Sequence, residues 1–468
     1  MDVNSTLVNL MLSKSPNIKM RKILLIFVFF AASSLYAQTQ IVQRDAEIAK
    51  MVSEISAKNL EKYVRDLADF KTRHTLSKQA GDTGILASQK YVLNHFKSFE
   101  SESGGRLSSE IDFFTIPADN RRIPTDSKLG NVIATLKGSD PNDDRILIIM
   151  AHIDSRALSV MDSVIDAPGA NDDGSGVAAI IELTRIMSKK SFPATIKFVV
   201  VSGEEQGLKG AEYLAKKAKA ENWNLVATLN NDMIGNSRSS QTDISDNTRV
   251  RIFSEGVPMA ETDQMAAIRR YTNGENDSKS RQLARFMKEI GERYMDQLEV
   301  KLIYRNDRFL RGGDHTPFAR EGFTAIRVCE MNENYYAQHE NVRFEDGIQY
   351  GDLPEFMDFE YMRKVTGINL ASLAYLATAP SEPQMVGIDV RRLSNTSTLR
   401  WEAPKTGKAK GYYVLMRETS DSMWQKKFYT EDMTLTIPYS KDNYFFAVQA
   451  VGEEGHESMA VFPQPITR

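Results

Sequence analysis

Three short apolar runs near the middle of the chain, each followed within a few residues by polar side chains, constrain its fold most. The runs are Ile146–Met150, Ile196–Val201 and Val226–Leu229. Because both faces of each run are apolar, the pattern predicts strands that are buried on both sides, as in parallel sheets. The Gly174–Ser188 segment between the first two runs carries apolar residues at helical spacing. Strands that alternate with helices predict an α/β fold, with a mostly parallel or mixed sheet covered by helices on both faces.

Side chains that can bind a metal follow these predicted strands. The clusters read AHIDS at 151–155, APGANDDGSG at 167–176, SGEEQG at 202–207 and NND at 230–232. In open α/β sheets ligands bind beyond the carboxyl ends of the strands, so we expect the clusters to converge there. An imidazole together with several carboxylates is a set of ligands that suits zinc.

The first two clusters also have structural explanations when each is taken alone. His152 and Asp154 fit a surface turn, although an Asp at this spacing could also hold the imidazole through its second ring nitrogen. Asp172 and Asp173 fit the start of a helix, where a carboxylate caps backbone N–H groups. A cap explains one of these two carboxylates and leaves the other for a metal.

The Glu204-Glu205 pair is the most informative of the clusters. Adjacent carboxylates at the end of a strand repel each other unless a cation or a proton lies between them. One carboxylate can bind a metal while its neighbour moves protons, as metal-assisted hydrolysis requires. An exposed charged turn explains the pair alone equally well. Asp232 follows an apolar run, and a metal would neutralise a charge that is costly to bury.

Two of the six histidines could complete a metal site. His315 lies in RGGDHTPF at 311–318, and His339 lies in YYAQHE at 335–340. Both follow loops near predicted strands, so the residue pattern leaves the choice between them open.

Taken together, the order His-x-Asp, Asp, Glu-Glu, Asp and His resembles the co-catalytic zinc aminopeptidases of peptidase family M28, over roughly residues 130–345. The resemblance implies two Zn²⁺ per chain. It places His152 and Asp232 on one zinc, Glu205 and His339 on the other, and Asp172 between them. It makes Glu204 the general base and Asp154 the residue that orients His152. It also places Asp314 and His315 beside the site, facing the substrate or supporting the ligands.

The activity that this resemblance implies is the removal of N-terminal residues from peptides with a free N-terminus, by a zinc-activated water and Glu204. Some family members are carboxypeptidases, and Arg308 and Arg311 could bind the substrate carboxylate that such enzymes require. Glutaminyl cyclases share the scaffold with one zinc. A non-catalytic binding protein is the alternative of a different class, but such a protein gains nothing from repelling carboxylates.

Residues 1–37 have the pattern of a secretory signal peptide. Met20-Arg21-Lys22 precedes the apolar run Ile23–Leu35, and Ala37 is a small residue at the expected cleavage point. The run is short for a bilayer span, so we expect no stable membrane span after cleavage; an N-terminal anchor is the alternative. We therefore expect an exported protein, located in a bacterial periplasm or outside the cell.

The composition excludes some classes of binding partner and of cross-link. The formal net charge of -3 offers no basic field for nucleic acid. Cys329 is the single cysteine, so no internal disulfide can form. The oligomeric state does not follow from the sequence.

The chain divides into a peptidase-like domain at 38–379 and a smaller domain at 384–468. Residues 236–280 are rich in Ser, Asp and Asn around a short predicted strand, Arg249–Phe253, and are expected to form a cap insertion over the site. Short alternating runs after residue 384 predict a small all-β sandwich. Trp401 followed by Tyr412-Tyr413-Val414 resembles a fibronectin type III domain.

Overall fold

A mixed eight-stranded sheet forms the centre of the α/β part of the chain. The computed structural model describes residues 44–77 and 81–467, and the predicted signal peptide lies outside them. The strands are β1 (Leu107–Ile116), β2 (Ser127–Leu136), β3 (Arg145–His152), β4 (Thr195–Val201), β5 (Asn224–Asn231), β6 (Arg249–Ser254), β7 (Glu299–Ile303) and β8 (Ala325–Glu330).

The strands lie side by side in the order β1-β2-β4-β3-β5-β8-β6-β7. The central strands β4, β3, β5 and β8 pair in parallel. The outer strands add antiparallel pairings, β1 with β2, β2 with β4, and β6 with β8. The predicted α/β sheet is therefore confirmed, in its mixed form.

Nine α-helices occur in the described residues. They are α1 (Ala46–Ser53), α2 (Ala57–Ala68), α3 (Gly84–Glu100), α4 (Gly174–Met187), α5 (Lys209–Ala220), α6 (Asp263–Thr272), α7 (Lys279–Tyr294), α8 (His315–Arg320) and α9 (Phe359–Thr378). Two 3₁₀ turns, Ser101–Ser103 and Pro354–Phe356, and a hairpin of β9 (Arg343–Glu345) and β10 (Ile348–Tyr350) complete this part.

Helices cover both faces of the sheet, as predicted. On one face lie α4 and α9, and every residue of α4 except Arg185 is buried. On the other face Leu214 of α5 and Phe318 of α8 pack in one cluster with Ile148 and Val199 of the sheet. Burying an aliphatic or Phe side chain of this kind stabilises a fold by about 1.5–3 kcal/mol, so the paired layers fix the sheet between them.

The register of the parallel strands brings their carboxyl ends to one edge. His152 lies opposite Val201 of β4, and Met150 lies opposite Asn230 of β5. Asn231 in turn lies opposite Val328 of β8. The polar segments that follow β3, β4 and β5 therefore start from the same edge of the sheet.

The 236–280 segment differs from the predicted cap. Arg249–Ser254 within it is strand β6 of the main sheet, paired with β7 and β8. Helix α6 follows with no buried residue. None of the residues that line the cleft described below belongs to this segment. The strand predicted at Arg249–Phe253 is thus present, and its pairings place it in the main sheet.

The C-terminal residues form two further sheets that share one apolar core. The strands are β11 (Gln384–Asp389), β12 (Ser397–Glu402), β13 (Ala409–Glu418), β14 (Lys426–Thr430), β15 (Thr434–Ile437), β16 (Tyr444–Gly452) and β17 (Gln464–Ile466). They pair in the orders β15-β12-β11-β17 and β14-β13-β16. Trp401 and Val414, from different sheets, lie in the shared core. The small all-β region is confirmed, and its fibronectin type III character stays a prediction.

No helix in the described part of the chain has both the length and the apolar character needed to cross a membrane.

Candidate metal centre

Asp172 lies between two histidines that are far apart in the sequence. Its Oδ1 is 3.2 Å from Nε2 of His152, and its Oδ2 is 3.0 Å from Nε2 of His339. His152 ends strand β3, whereas Asp172 lies just before helix α4 and His339 follows β8. One carboxylate that faces two imidazoles with separate oxygens is the arrangement that a bridging ligand needs.

The other predicted ligands complete two groups around this carboxylate. His152, Glu204 and Asp232 bring ligand atoms within 4.8 Å of one another, and so do Asp172, Glu205 and His339. Oε1 of Glu205 is 2.9 Å from Nε2 of His339, and Oδ2 of Asp232 is 3.9 Å from Nε2 of His152. The structure thus brings all five predicted ligands and Glu204 together.

The charged side chains of this cluster shift the pKa values of one another. Burial and the charges of Glu205 and Asp314 raise the pKa of Glu204 well above its usual value. Burial lowers the pKa of His152, but the hydrogen bond with Asp172 and the charge of Glu204 outweigh it and raise that pKa. A divalent cation would relieve the repulsion between the carboxylates, and imidazole with carboxylate donors fits zinc.

Asp154 supports the cluster differently from the prediction. Its carboxylate accepts the consecutive backbone N–H groups of Gly203, Glu204 and Glu205 at 2.8, 3.2 and 3.0 Å. Nδ1 of His152 lies 3.0 Å from the backbone carbonyl of Asp154 but 3.8 Å from its carboxylate. The carbonyl therefore orients the imidazole, and the carboxylate holds the segment that carries the glutamate pair.

Asp173 and Asp172 divide the two roles that the sequence left open. Asp173 caps α4 by accepting the N–H of Gly176, and it also accepts the N–H groups of His152 and Met233. The carboxylate of Asp172 stays directed at the histidines. Its backbone N–H donates to Asp352 at 2.7 Å. The helix cap and the predicted ligand are thus neighbouring residues.

Comparison with known proteins agrees with this geometry. The model of peptidase family M28 matches residues 131–356. A probable zinc metalloprotease of Leptosphaeria maculans is 42% identical over 423 residues, which cover 90% of this chain and 97% of the relative. The chain belongs to peptidase family M28. A probable zinc metalloprotease of Pyrenophora tritici-repentis is 40% identical over 425 residues, 90% of this M28 peptidase and 87% of that relative.

Solved structures show the same fold at low identity. LapB of Legionella pneumophila superposes with a TM-score of 0.50 at 16% identity, over 72% of this chain and 76% of that one. LapA of the same organism gives 0.51 at 18% identity, over 73% and 79%. This M28 member is thus a zinc metallopeptidase built on a large mixed α/β sheet.

Two arginines that hold predicted ligands of the peptidase were not predicted from the sequence. Nε of Arg156 lies 2.8 Å from Glu205, and its Nη2 lies 2.6 Å from Nδ1 of His339. Nη2 of Arg327 lies 2.7 Å from Oδ1 of Asp232. Arg327 stands inside the apolar run Ala325–Cys329, where a buried charge must have a partner, so that signal could have found it. No local signal marks Arg156.

Asp314 and His315 lie behind the peptidase site and are absent from the lining of its cleft. Asp314 is fully buried, and burial raises its pKa to about 8. Nε2 of His315 lies 2.8 Å from the carbonyl of Asn306 and holds the preceding loop. Of the two histidines left open by the sequence, His339 joins the cluster and His315 does not.

The cluster opens into a cleft of about 510 Å³. Asp172, Glu205, Asp232 and His339 line its wall, together with Glu204. Four arginines share this wall, namely Arg122, Arg156, Arg308 and Arg311. The volume suits one or two residues of a peptide.

A third group of ligand-type side chains, Asp45, Glu454 and His456, lies apart from the cleft. Asp45 caps α1 through Oδ1, and its Oδ2 lies 3.0 Å from Nε2 of His456. His456 packs edge-on against Tyr375 of α9. These contacts join the first helix to the C-terminal sheets and agree with a structural role for His456.

Proposed function

We propose that this zinc metallopeptidase is an exported aminopeptidase that removes N-terminal residues from peptides with a free N-terminus. The observation that carries the proposal is Asp172, which faces His152 and His339 with separate oxygens beside Glu204 in the cleft. His152 and Asp232 would hold one zinc, and Glu205 and His339 would hold a second. Asp172 would contribute to both. The surrounding carboxylates suit the α-ammonium group of a substrate.

Bound zinc would supply Lewis acidity, which polarises a carbonyl and lowers the pKa of water. Glu204 is partly exposed in the cleft, and its backbone N–H is fixed by Asp154. Its raised pKa makes it a suitable group to accept a proton from the attacking water and to return it to the leaving amine. Arg156 keeps Glu205 and His339 in place while the substrate exchanges.

The proposal is tested with the purified mature protein and four substrates: leucine nitroanilide, its N-acetylated form, an N-blocked peptide and a peptide with N-terminal glutamine. We expect cleavage of the free-amine substrates alone, lost on chelation and restored by zinc, with two zinc ions per chain by elemental analysis. Trimming of the N-blocked peptide from its carboxyl end would indicate a carboxypeptidase. Ammonia release without cleavage would indicate a cyclase, and metal-free, inactive protein a binding protein.

Glu204→Gln tests the general base directly. The variant should keep its zinc and lose about 10²–10⁴-fold in kcat, the usual contribution of a positioned acid–base group. Glu212→Gln on α5, partly exposed and outside the cleft, is the matched control and should retain wild-type turnover. A Glu204→Gln enzyme as active as the control would remove Glu204 from the mechanism.

Export rests on the pattern of residues 1–37 alone. We expect the N-terminus of the protein recovered outside the cytoplasm to be Gln38 by mass spectrometry. Recovery of an intact N-terminus in the membrane fraction would favour the anchor instead.

A further inference from the structure

Arg308 and Arg311 differ from the other two arginines of the cleft. Arg156 is bound to Glu205 and His339, and Arg122 donates to the backbone carbonyl of Glu205 at 2.7 Å. Both of these guanidinium groups therefore belong to the wall around the ligands. Arg308 and Arg311 lie on the loop between β7 and α8 and contact no residue of the ligand set.

The two guanidinium groups compete for one carboxylate. Nη1 of Arg308 and Nη1 of Arg311 both lie 3.2 Å from Oε2 of Glu333. The other oxygen of Glu333 already accepts from Arg251 at 2.8 Å. A single carboxylate thus serves three guanidinium groups, and it can fully neutralise one of them.

The second carboxylate within reach is also shared. Asp307 lies 3.2 Å from Arg308, and it lies 3.2 Å from Arg327 as well. Arg327 additionally contacts the ligand Asp232. Among the described residues, three carboxylates therefore face four guanidinium groups. The carboxylates are those of Glu333, Asp307 and Asp232, and the guanidinium groups are those of Arg251, Arg308, Arg311 and Arg327. The surplus of positive charge faces the cleft through Arg311, whose side chain is 33% exposed.

This surplus lies close to the place of the scissile bond. Nη1 of Arg311 is 3.4 Å from Oε1 of Gln338, and Nε2 of Gln338 is 3.0 Å from Oδ2 of Asp172. One amide side chain thus spans the distance between Arg311 and the bridging carboxylate. A group bound by Arg311 would lie within one residue of a bond positioned at the ligand cluster.

We propose that Arg308 and Arg311 form a subsite that binds a carboxylate of the substrate beside the scissile bond. The inference rests on the proposed peptidase function and adds the substrate class to it. A guanidinium group binds a carboxylate through paired N–H donors, which makes arginine suited to this task. The carboxylate could come from an acidic N-terminal residue or from the free carboxyl terminus of a dipeptide.

Two pairs of substrates separate these sources in the zinc-loaded enzyme. Glutamyl and glutaminyl nitroanilide differ only in the side-chain carboxylate, and leucyl-glycine and its amide differ only in the terminal one. Arg311→Gln should lower the carboxylate-to-amide ratio of kcat/KM by about 10- to 100-fold for one pair, as expected for a charge-assisted hydrogen bond. Arg305→Gln is the control, since Arg305 is exposed on the same loop and outside the cleft.

Arg311→Lys keeps the charge and removes the planar fork, so its ratio should fall between those of the wild type and Arg311→Gln. A lower ratio for the nitroanilides identifies an acidic side chain, and a lower ratio for the dipeptides identifies a carboxyl terminus. Wild-type ratios near one, or ratios that Arg311→Gln leaves unchanged in active enzyme, would overturn the subsite.

Binding measurements keep this test independent of turnover. In the Glu204→Gln background, calorimetry with glutamyl-leucine and glutaminyl-leucine amide should show a preference for carboxylate that Arg311→Gln removes. If the wild type cleaves no peptide yet shows that arginine-dependent preference, the proposed function fails and the subsite stands. Equal binding of all ligands to both proteins would reject the subsite while leaving peptidase activity intact.

Discussion

Asp154 is a single residue whose position fixes two parts of the site. Its buried carboxylate accepts three consecutive backbone N–H groups at the glutamate pair and the hydroxyl of Thr75 at 3.0 Å. Its carbonyl takes the place beside the His152 ring that the sequence suggested for the carboxylate. Motif spacing can predict that an Asp lies near a His, but it does not distinguish the carbonyl from the carboxylate.

Asp154→Asn should destabilise the fold and displace the glutamate pair. Asparagine has one side-chain oxygen, so at least one buried N–H at Gly203–Glu205 loses its acceptor, at a cost of about 1–3 kcal/mol. Because Glu204 moves with its backbone, kcat should fall more than the zinc content does. Urea unfolding and elemental analysis check both expectations.

Thr75→Val is the graded control, since it removes only the hydroxyl donor to Asp154. It should cost about 1 kcal/mol and leave the hydrogen bonds from the three backbone N–H groups to Asp154 intact. If Asp154→Asn unfolds at the same urea concentration as the wild type, the carboxylate does not hold this segment.

Three of the five predicted ligands share a local signal that the supporting arginines lack. His152, Glu205 and Asp232 each lie within a few residues of the end of an apolar run, and a sheet brings such ends to one edge. Arg156 and Arg311 lie on irregular loops, and their carboxylate partners, Glu205 and Glu333, are more than 20 residues away in the sequence. The local pattern therefore points to these three predicted ligands, whereas the charge balance of the cleft requires the folded chain.

At the scale of elements, burial decided which strands the sequence could predict. The run Ile146–Met150 is found within β3, which is almost wholly buried. Strand β2 starts with the polar residues Ser127 and Lys128, which no apolar run marks, because it pairs with β1 along its whole length. Strand β14 (Lys426–Thr430) carries little apolar signal in the sequence, since it is a polar edge strand held by backbone pairing with β13.

Helix α4 packs closely against the end of strand β5 at Gly176, which has no side chain. A Cβ atom on Gly176 would lie 2.6 Å from the carbonyl oxygen of Asn231 and 2.5 Å from the carboxylate of Asp173. Gly176→Ala must therefore move the helix start away from the strand end. We expect a loss of about 1–3 kcal/mol in unfolding free energy, as for other overpacked cores.

The same shift separates Asp172 from Asp232, which lie on either side of this contact. Zinc affinity of Gly176→Ala, measured by competition with a chelator, should fall about 10-fold or more. Gly312→Ala is the control for stability, since the nearest atom to its added Cβ is 3.7 Å away. Unchanged zinc affinity in a folded Gly176→Ala protein would show that the helix start does not position the ligands.

At the scale of the whole molecule, the C-terminal sheets are tied to the peptidase part by buried charges. Asp277 before α7 lies 3.1 Å from Arg285 and 2.6 Å from Arg417 of β13, and the side chains of all three are at most 2% exposed. Lys427 of β14 lies 2.6 Å from Glu289 of α7. Buried pairs of this kind are costly to break, so we expect the two parts to unfold together.

Asp277→Asn tests this coupling. Removing the shared carboxylate leaves Arg285 and Arg417 as uncompensated charges inside the junction, which should cost about 3–5 kcal/mol.

Asp144→Asn is the matched control, because Asp144 also pairs across the junction, with Lys405, but both side chains are more than half exposed. An exposed pair contributes about 0–1 kcal/mol, so its loss should barely shift the urea midpoint. We expect one cooperative transition for the wild type and the control, and an earlier transition for Asp277→Asn by both tryptophan fluorescence and peptidase activity. If Asp277→Asn and Asp144→Asn unfold alike, the buried charges do not hold the C-terminal sheets to the rest of the chain.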